Sequence, residues 1–249
     1  MRAGTMSATH PTERGTSDSL QARLPQALLS LTFVTGLIDA VSFVGLGHVF
    51  TANMTGNVVF LGFALGGAGG LSPYRSIAAL LAFALGALAG GRLGTSARRT
   101  VRERVLTAAV WEGALLLTAT AVAFVALRPQ PVATAYTLIV VTAVAMGFRN
   151  AVVRKLGVPD LTTTVLTLTI TGLASDSSLA RGENPRWARR LFSVIAMFGG
   201  ALVGTILLLR VGLYAPLGLS TAIVAAIGAG IYFCSDEPPV STPREAVRL

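Results

Sequence analysis

Between Asp39 and Arg75 the chain carries no Lys, Arg, Asp or Glu, and these 35 residues enclose a run of amides and hydroxyls, Thr51 to Asn57, within an otherwise apolar block. An uncharged stretch of that length is what a bilayer selects, since roughly 20 apolar residues make one helical crossing. Further charge-free windows run over Ser76 to Gly91, Gly113 to Leu127, Pro129 to Phe148, Leu191 to Leu209 and Val211 to Ser235. With 53% hydrophobic and 12% charged residues, a water-soluble fold would expose more apolar surface than one core can hide. The lipid bilayer is therefore the first expected partner.

Twenty Lys and Arg against eleven Asp and Glu leave a net charge of +9. The basic residues sit between the apolar segments, as topology signals do, which argues against a nucleic-acid partner. Residues 1–23 read as a disordered cytoplasmic tail and 236–249 as a second tail, flanking a single membrane domain over 24–235. The first 22 residues lack the apolar core of a signal peptide. One cysteine, Cys234, and two histidines, His10 and His48, leave no internal disulfide and no Cys or His cluster for a metal, so no cofactor is expected.

Hydropathy proposes eight segments, near 25–46, 50–70, 74–91, 105–127, 130–148, 161–175, 190–209 and 212–234. The second is polar at its start and rich in glycine; the sixth is short and rich in threonine. Eight full crossings would divide the Lys and Arg residues 11 to 9 between the two sides. If the second and sixth segments enter and leave by one face, 17 fall inside and only Arg75, Arg128 and Arg210 outside. That asymmetry favours six crossings with both termini cytoplasmic and two re-entrant or broken-helix segments. Such segments require protein or a water-filled cavity around them.

The chain also resembles itself. Gly36, Asp39, Ala40 and Val41 match Gly147, Asn150, Ala151 and Val152 at an offset of 111, and Thr51 and Thr55 match Thr163 and Thr167 at 112. Three crossings per half give the halves (24–127 and 129–235) opposite orientations, an inverted repeat of the kind found in secondary transporters. The expected fold is all-α and polytopic.

The strings GLIDAVSFVGLGHVFTANMTGNVVFLG (Gly36 to Gly62) and MGFRNAVVRKLGVPDLTTTVLT (Met146 to Thr167) resemble the YoaK-like family of bacterial integral membrane proteins, also described as domain of unknown function 1275. The resemblance implies a bacterial inner-membrane protein that carries a small molecule, with no substrate assigned. Family members repeat a Thr-Gly pair in the second half, whereas here Leu168 follows Thr167 and a Thr-Gly pair comes at Thr171 and Gly172.

Candidate residues follow from the cost of polarity in a membrane. Asp39 lies within an otherwise uncharged first crossing, where a carboxyl marks a proton or ion pathway or is held by a fixed cation. Arg149 is the candidate counter-ion, or the contact for an anionic substrate, and Asn150 beside it completes the expected ion-coupling set with Asp39. Asn53, Thr55 and Asn57 cluster beside Gly56, and with Thr162, Thr163 and Thr164 of the other half they form the expected substrate site; interhelical hydrogen bonding is the alternative use of the amides. Glu112 is expected to snorkel to the cytoplasmic surface toward Arg102 or Arg104, and His48 to lie in an exposed external turn. The glycines of Gly86 to Gly91 and Gly199 to Gly204 have the spacing that lets helices pack closely.

No nucleophile elbow, P-loop or HExxH motif is present, so an enzyme is not expected. The reading is a secondary transporter or channel for a small solute, proton- or cation-coupled through Asp39, in the inner membrane, with self-association as an open partner. The alternative is a non-transporting scaffold or accessory subunit braced by its buried polar groups.

Overall fold

A computed structural model describes residues 11–94, 100–126, 131–156, 166–183 and 187–233. All regular structure among them is helical: α1 (Pro11–Ala40, prolonged by a π-helical turn over Val41–Gly45), α2 (Met54–Leu65), α3 (Pro73–Gly94), α4 (Val101–Val125), α5 (Val132–Leu156), α6 (Leu166–Ser175), α7 (Trp187–Arg210) and α8 (Tyr214–Phe233). Six stretches are long and apolar enough to cross a membrane: Leu24–Gly45 of α1 with its π turn, and α3, α4, α5, α7 and α8. At 1.5 Å per residue, the 12 residues of α2 and the 10 of α6 reach about 18 Å and 15 Å, well short of a ~30 Å hydrocarbon core. α1 begins at Pro11, inside the stretch expected to be a disordered tail.

Local sequence explains the boundaries. Thr100 and Glu103 close a capping box at the start of α4: the Thr100 hydroxyl accepts from the Glu103 N–H at 3.2 Å, and Glu103 Oε2 accepts from the Thr100 N–H at 2.9 Å. α2 ends at Gly66, and the turn to α3 passes through Gly67 and Gly70 at φ +92° and +80°, a region that side chains disfavour.

α1 and α5 are central. In their most apolar windows 61% and 56% of residues are buried, against 22–28% in the other four long helices, which turn Leu81, Leu85, Phe198, Leu202 and Leu209 outward to lipid. Backbones meet at glycines. Gly200 and Gly204 of α7 lie against Phe33 and Leu37 of α1, while Gly36 of α1 faces Met197 and Ala201. Gly86 and Gly90 of α3 lie in the same way against Val144 and Phe148 of α5, while Gly147 faces Phe83 and Ala87. These sets correspond residue for residue, at an offset of 111 between α1 and α5 and 114 between α3 and α7. The main helix pairings, α1 with α7 and α8, α5 with α3 and α4, α2 with α3, α6 with α7, and α4 with α8, likewise map onto themselves when the halves are exchanged.

The glycine contacts also fix helix directions. Residue numbers rise together along α1 and α7 and along α3 and α5, so both pairs are parallel; Gly113 by Val224, Gly218 by Thr120 and Gly228 by Ala109 make α4 and α8 antiparallel. Eight alternating crossings would make α4 and α8 parallel, and a crossing by only one of α2 and α6 would reverse α1 against α7. Six alternating crossings satisfy all three pairs.

Candidate functional site

The π turn at Val41–Gly45 widens the end of α1 directly after Asp39, and the chain then folds back through Gly47 and His48, at φ +90° and +58°, into α2. Turns of this kind favour functional positions because they break the regular backbone ladder. Three aromatic rings hold α2 against this turn: Phe43 stacks on Phe50 with centroids 5.0 Å apart, and Phe50 on Phe60 at 5.7 Å. His48 is exposed and meets the Phe43 ring edge-on at 5.1 Å.

Asp39 is buried at this junction, and its Oδ1 accepts from the Ala52 N–H at 3.3 Å, just ahead of the first turn of α2. A carboxylate facing a helix N-terminus is well placed to satisfy N–H groups that have no helical partner. Thr51 beside it is fully buried, and its hydroxyl has no hydrogen-bond partner among the described residues. Asn53 is half-buried at the N-cap of α2 without a capping bond, and Thr55 is exposed.

Asn57 has a different use. Its Oδ1 accepts from the Phe50 N–H at 2.9 Å and its amide donates to the Phe50 carbonyl, so both ends of the side chain tie the turn to α2. Asn57→Ala is therefore expected to cost about 1–3 kcal/mol through two buried backbone groups left unpaired, seen as a lower unfolding temperature in detergent.

Arg149 is fully buried on α5, and its ionic partner is Glu112 rather than Asp39. Arg149 Nη1 donates to Glu112 Oε1 at 2.9 Å, Nη2 donates to the Thr35 hydroxyl of α1 and lies 3.1 Å from Met146 Sδ, and Nε has no partner among the described residues. The expected Asp39–Arg149 pair is thus replaced by a pair between α4 and α5. Glu112, 1% exposed, does not snorkel. The capping box starts α4 at Val101, which makes Glu112 the twelfth of 25 residues, about 16 Å along the helix and too deep for a glutamate to reach the surface. The position matched to Arg149 in the first half is Ile38, so this pair has no counterpart there.

Asn150, the match of Asp39, is half-buried on α5. Thr162, Thr163 (the match of Thr51) and Thr164 lie outside the described residues. The sixth segment is described from Leu166 onward, as α6, and its end is fastened to α7: Arg190 donates to the Gly172 carbonyl at 2.8 Å and to Asp176 Oδ2 at 2.7 Å. The Arg190 hydrogen bond, with a second from Ser175, holds the Asp176 carboxyl below the ordinary carboxylate range.

Among the described residues, the buried ionisable groups near α1 and α5 are therefore two carboxyls, on α1 and α4, and one guanidinium on α5. No group of three or more His, Cys, Asp or Glu side chains suited to a metal occurs among the described residues.

Residues 27–230 match the family described as "Protein of unknown function (DUF1275)". The chain belongs to this family. Among curated proteins, the DUF1275 chain is 35% identical over 152 residues to UPF0700 transmembrane protein YoaK of Bacillus subtilis (strain 168), a match covering 61% of this chain and 66% of that relative, just under two thirds of its length. No solved structure matches it. Both strings that carried the family resemblance fall inside the DUF1275 match, and they coincide with the Asp39 junction and with the Arg149 segment of α5.

Sequence reasoning missed the role of Glu112 and of Thr35. A readable signal existed: two opposite charges, Glu112 and Arg149, stand alone inside neighbouring apolar segments, and a bilayer admits such charges chiefly as a pair.

Proposed function

We propose that the protein is a secondary transporter or channel for a small solute and that Asp39 is its proton- or cation-coupling carboxyl. The observation that supports this reading is the charge inventory. Arg149 is committed to Glu112, which leaves Asp39 buried with a backbone N–H as its partner and no cation within ion-pair distance among the described residues. A buried carboxylate with no direct ion pair costs several kcal/mol, so a site of this kind is completed by a proton or a bound cation. Its position at a helix break, next to the unpartnered Thr51 hydroxyl, matches where transporters place coupling ions.

The matched glycine contacts and the antiparallel course of α4 against α8 support reading the halves as inverted repeats, with α2 and α6 as re-entrant segments from opposite faces. The charge bias supports the bacterial inner membrane with both termini cytoplasmic, which puts the start of α1 and the end of α5 on the inner side. Asn53 and Thr55, together with the threonines Thr162 to Thr164, would contribute to the solute path, and transport rather than catalysis is the activity.

One observation favours the alternative, a scaffold: the Asn57 amide serves the backbone at both ends. Asp39→Asn separates the two readings. In a carrier the variant keeps its unfolding temperature and loses the pH dependence of solute flux into proteoliposomes. A marked loss of stability, with pH-dependent flux absent from the parent as well, would favour the scaffold.

A further inference from the structure

A groove of about 520 Å³ runs along the outer side of the seam between α4 and α8. Small residues leave it open: where the helices touch, Gly113 meets Val224 and Gly228 meets Ala109. Leu117, Tyr232 and Phe233 stand exposed as its rim. Apart from Tyr232, the one polar side chain in its lining is Thr221. The Thr221 hydroxyl is already used, donating to the Leu217 carbonyl at 2.9 Å and lying 3.2 Å from the Thr120 hydroxyl.

Along α4 the groove reaches from Leu106 to Leu117, about 16 Å at 1.5 Å per residue, close to half of a ~30 Å hydrocarbon core. Arg102 stands one turn before Leu106, at the end where α4 begins and α8 finishes. Its Nη2 donates to the Tyr232 carbonyl at 2.8 Å, and its guanidinium carbon lies 5.8 Å from the centre of the Tyr232 ring, which fixes the cation at the end of the groove. Arg104 adds a second guanidinium to the first turn of α4. The carboxylate between them, Glu103, accepts from the Thr100 N–H in the capping box.

We infer that this groove binds one anionic phospholipid, with an acyl chain laid between α4 and α8 and the phosphate at Arg102. Three features select that occupant. The groove is one leaflet deep, as an acyl chain is. Its lining matches hydrocarbon and offers no unused polar group to a hydrated solute. The cation sits at the end where a headgroup lies, and a guanidinium matches phosphate in shape and charge, so an anionic headgroup is preferred over a zwitterionic one. A helix of a second copy would need a seam across the whole membrane, and this groove stops midway. Asp39, Glu112 and Arg149 are absent from its lining, so the site is independent of the transport reading.

The test uses the full chain, stripped of lipid in detergent and titrated with dioleoylphosphatidylglycerol, with dioleoylphosphatidylcholine, which has the same chains, and with glycerol 3-phosphate, which has none. Native mass spectrometry counts bound lipid, and thermal unfolding is followed in parallel. The expected result is one phosphatidylglycerol per chain, held about tenfold more tightly than phosphatidylcholine and raising the unfolding temperature, with no effect of glycerol 3-phosphate. Arg102→Gln should bring the two lipids to equal affinity, and Arg102→Lys should keep most of the preference. Ala225→Phe, which places a ring in the groove at an exposed position, should abolish tight binding with Arg102 still present. Arg154→Gln removes the same charge from the last turn of α5 and should change nothing. Comparing two lipids on one variant keeps the readout valid where Arg102→Gln lowers stability by releasing the Tyr232 carbonyl. Equal binding of both lipids by the parent would overturn the proposal, as would an equal effect of Arg154→Gln and Arg102→Gln, full stabilisation by glycerol 3-phosphate, or undiminished selectivity in Ala225→Phe. A lipid-indifferent dimer that Ala225→Phe dissociates would overturn it in favour of a second copy.

Discussion

Arg149→Met, with Glu112 left in place, is expected to destabilise the protein by about 3–5 kcal/mol, and the double variant Arg149→Met with Glu112→Leu to recover most of that loss. The single change strands a carboxyl that is 1% exposed in the middle of α4, with no other cation in ion-pair contact among the described residues. It also frees the Thr35 hydroxyl that receives Arg149 Nη2. The double change removes both charges and fills the space with apolar side chains, so the desolvation cost of each ion disappears together with their attraction. Unfolding in detergent, run as a double-mutant cycle, gives the coupling directly. Additive effects of the two substitutions would show that the pair is not the unit described above.

The second large effect is steric. A Cβ at Gly36 would fall within 3 Å of backbone atoms of Met197 and Ala201, and one at Gly147 likewise of Phe83 and Ala87. Backbone on a packed helix has no rotamer by which to escape, so Gly36→Ala and Gly147→Ala should each part a helix pair and cost on the order of 1–3 kcal/mol or more. Because the two contacts correspond, the two losses should be similar. Gly62→Ala and Gly91→Ala meet no heavy atom within 4 Å and should lie within about 0.5 kcal/mol of the parent. Thermal unfolding of the four variants provides the comparison; unequal losses at 36 and 147 would count against equivalent seams in the two halves.

Much of this architecture was legible in the sequence because a bilayer imposes a simple rule on composition. The eight segments, their division into six long and two short, and the offset of 111 all follow from where charge is missing and where small residues recur. The misplaced charges, Glu112 and Arg149, share one cause. Charge-based windows end at each ionic residue, so the fifth segment was closed at Phe148 and the fourth was opened near 105 with Glu112 close to its edge. α5 in fact continues to Leu156 and α4 starts at Val101, which buries both charges. Two ions 37 positions apart cancel only once α4 packs against α5, and no one-dimensional window contains that fact. Asn57 failed differently: an amide that binds a ligand and an amide that binds Phe50 are the same letter, and only the fold distinguishes them. Asp39 was found because its isolation is itself visible along the chain.

The glycine seams have a consequence for how the molecule is made. α1 closes against α7, and α3 against α5, so α1 packs on a helix that leaves the ribosome more than 150 residues after it. Until then its glycine face has only lipid to meet, and the helix waits in the bilayer as a separate rod. The first half cannot complete itself and hold as a finished unit; each half supplies the surface on which the other closes. Assembly is thus a late event, set by the insertion of α7, and a chain cut between α5 and α7 would be expected to yield inserted helices without a folded protein.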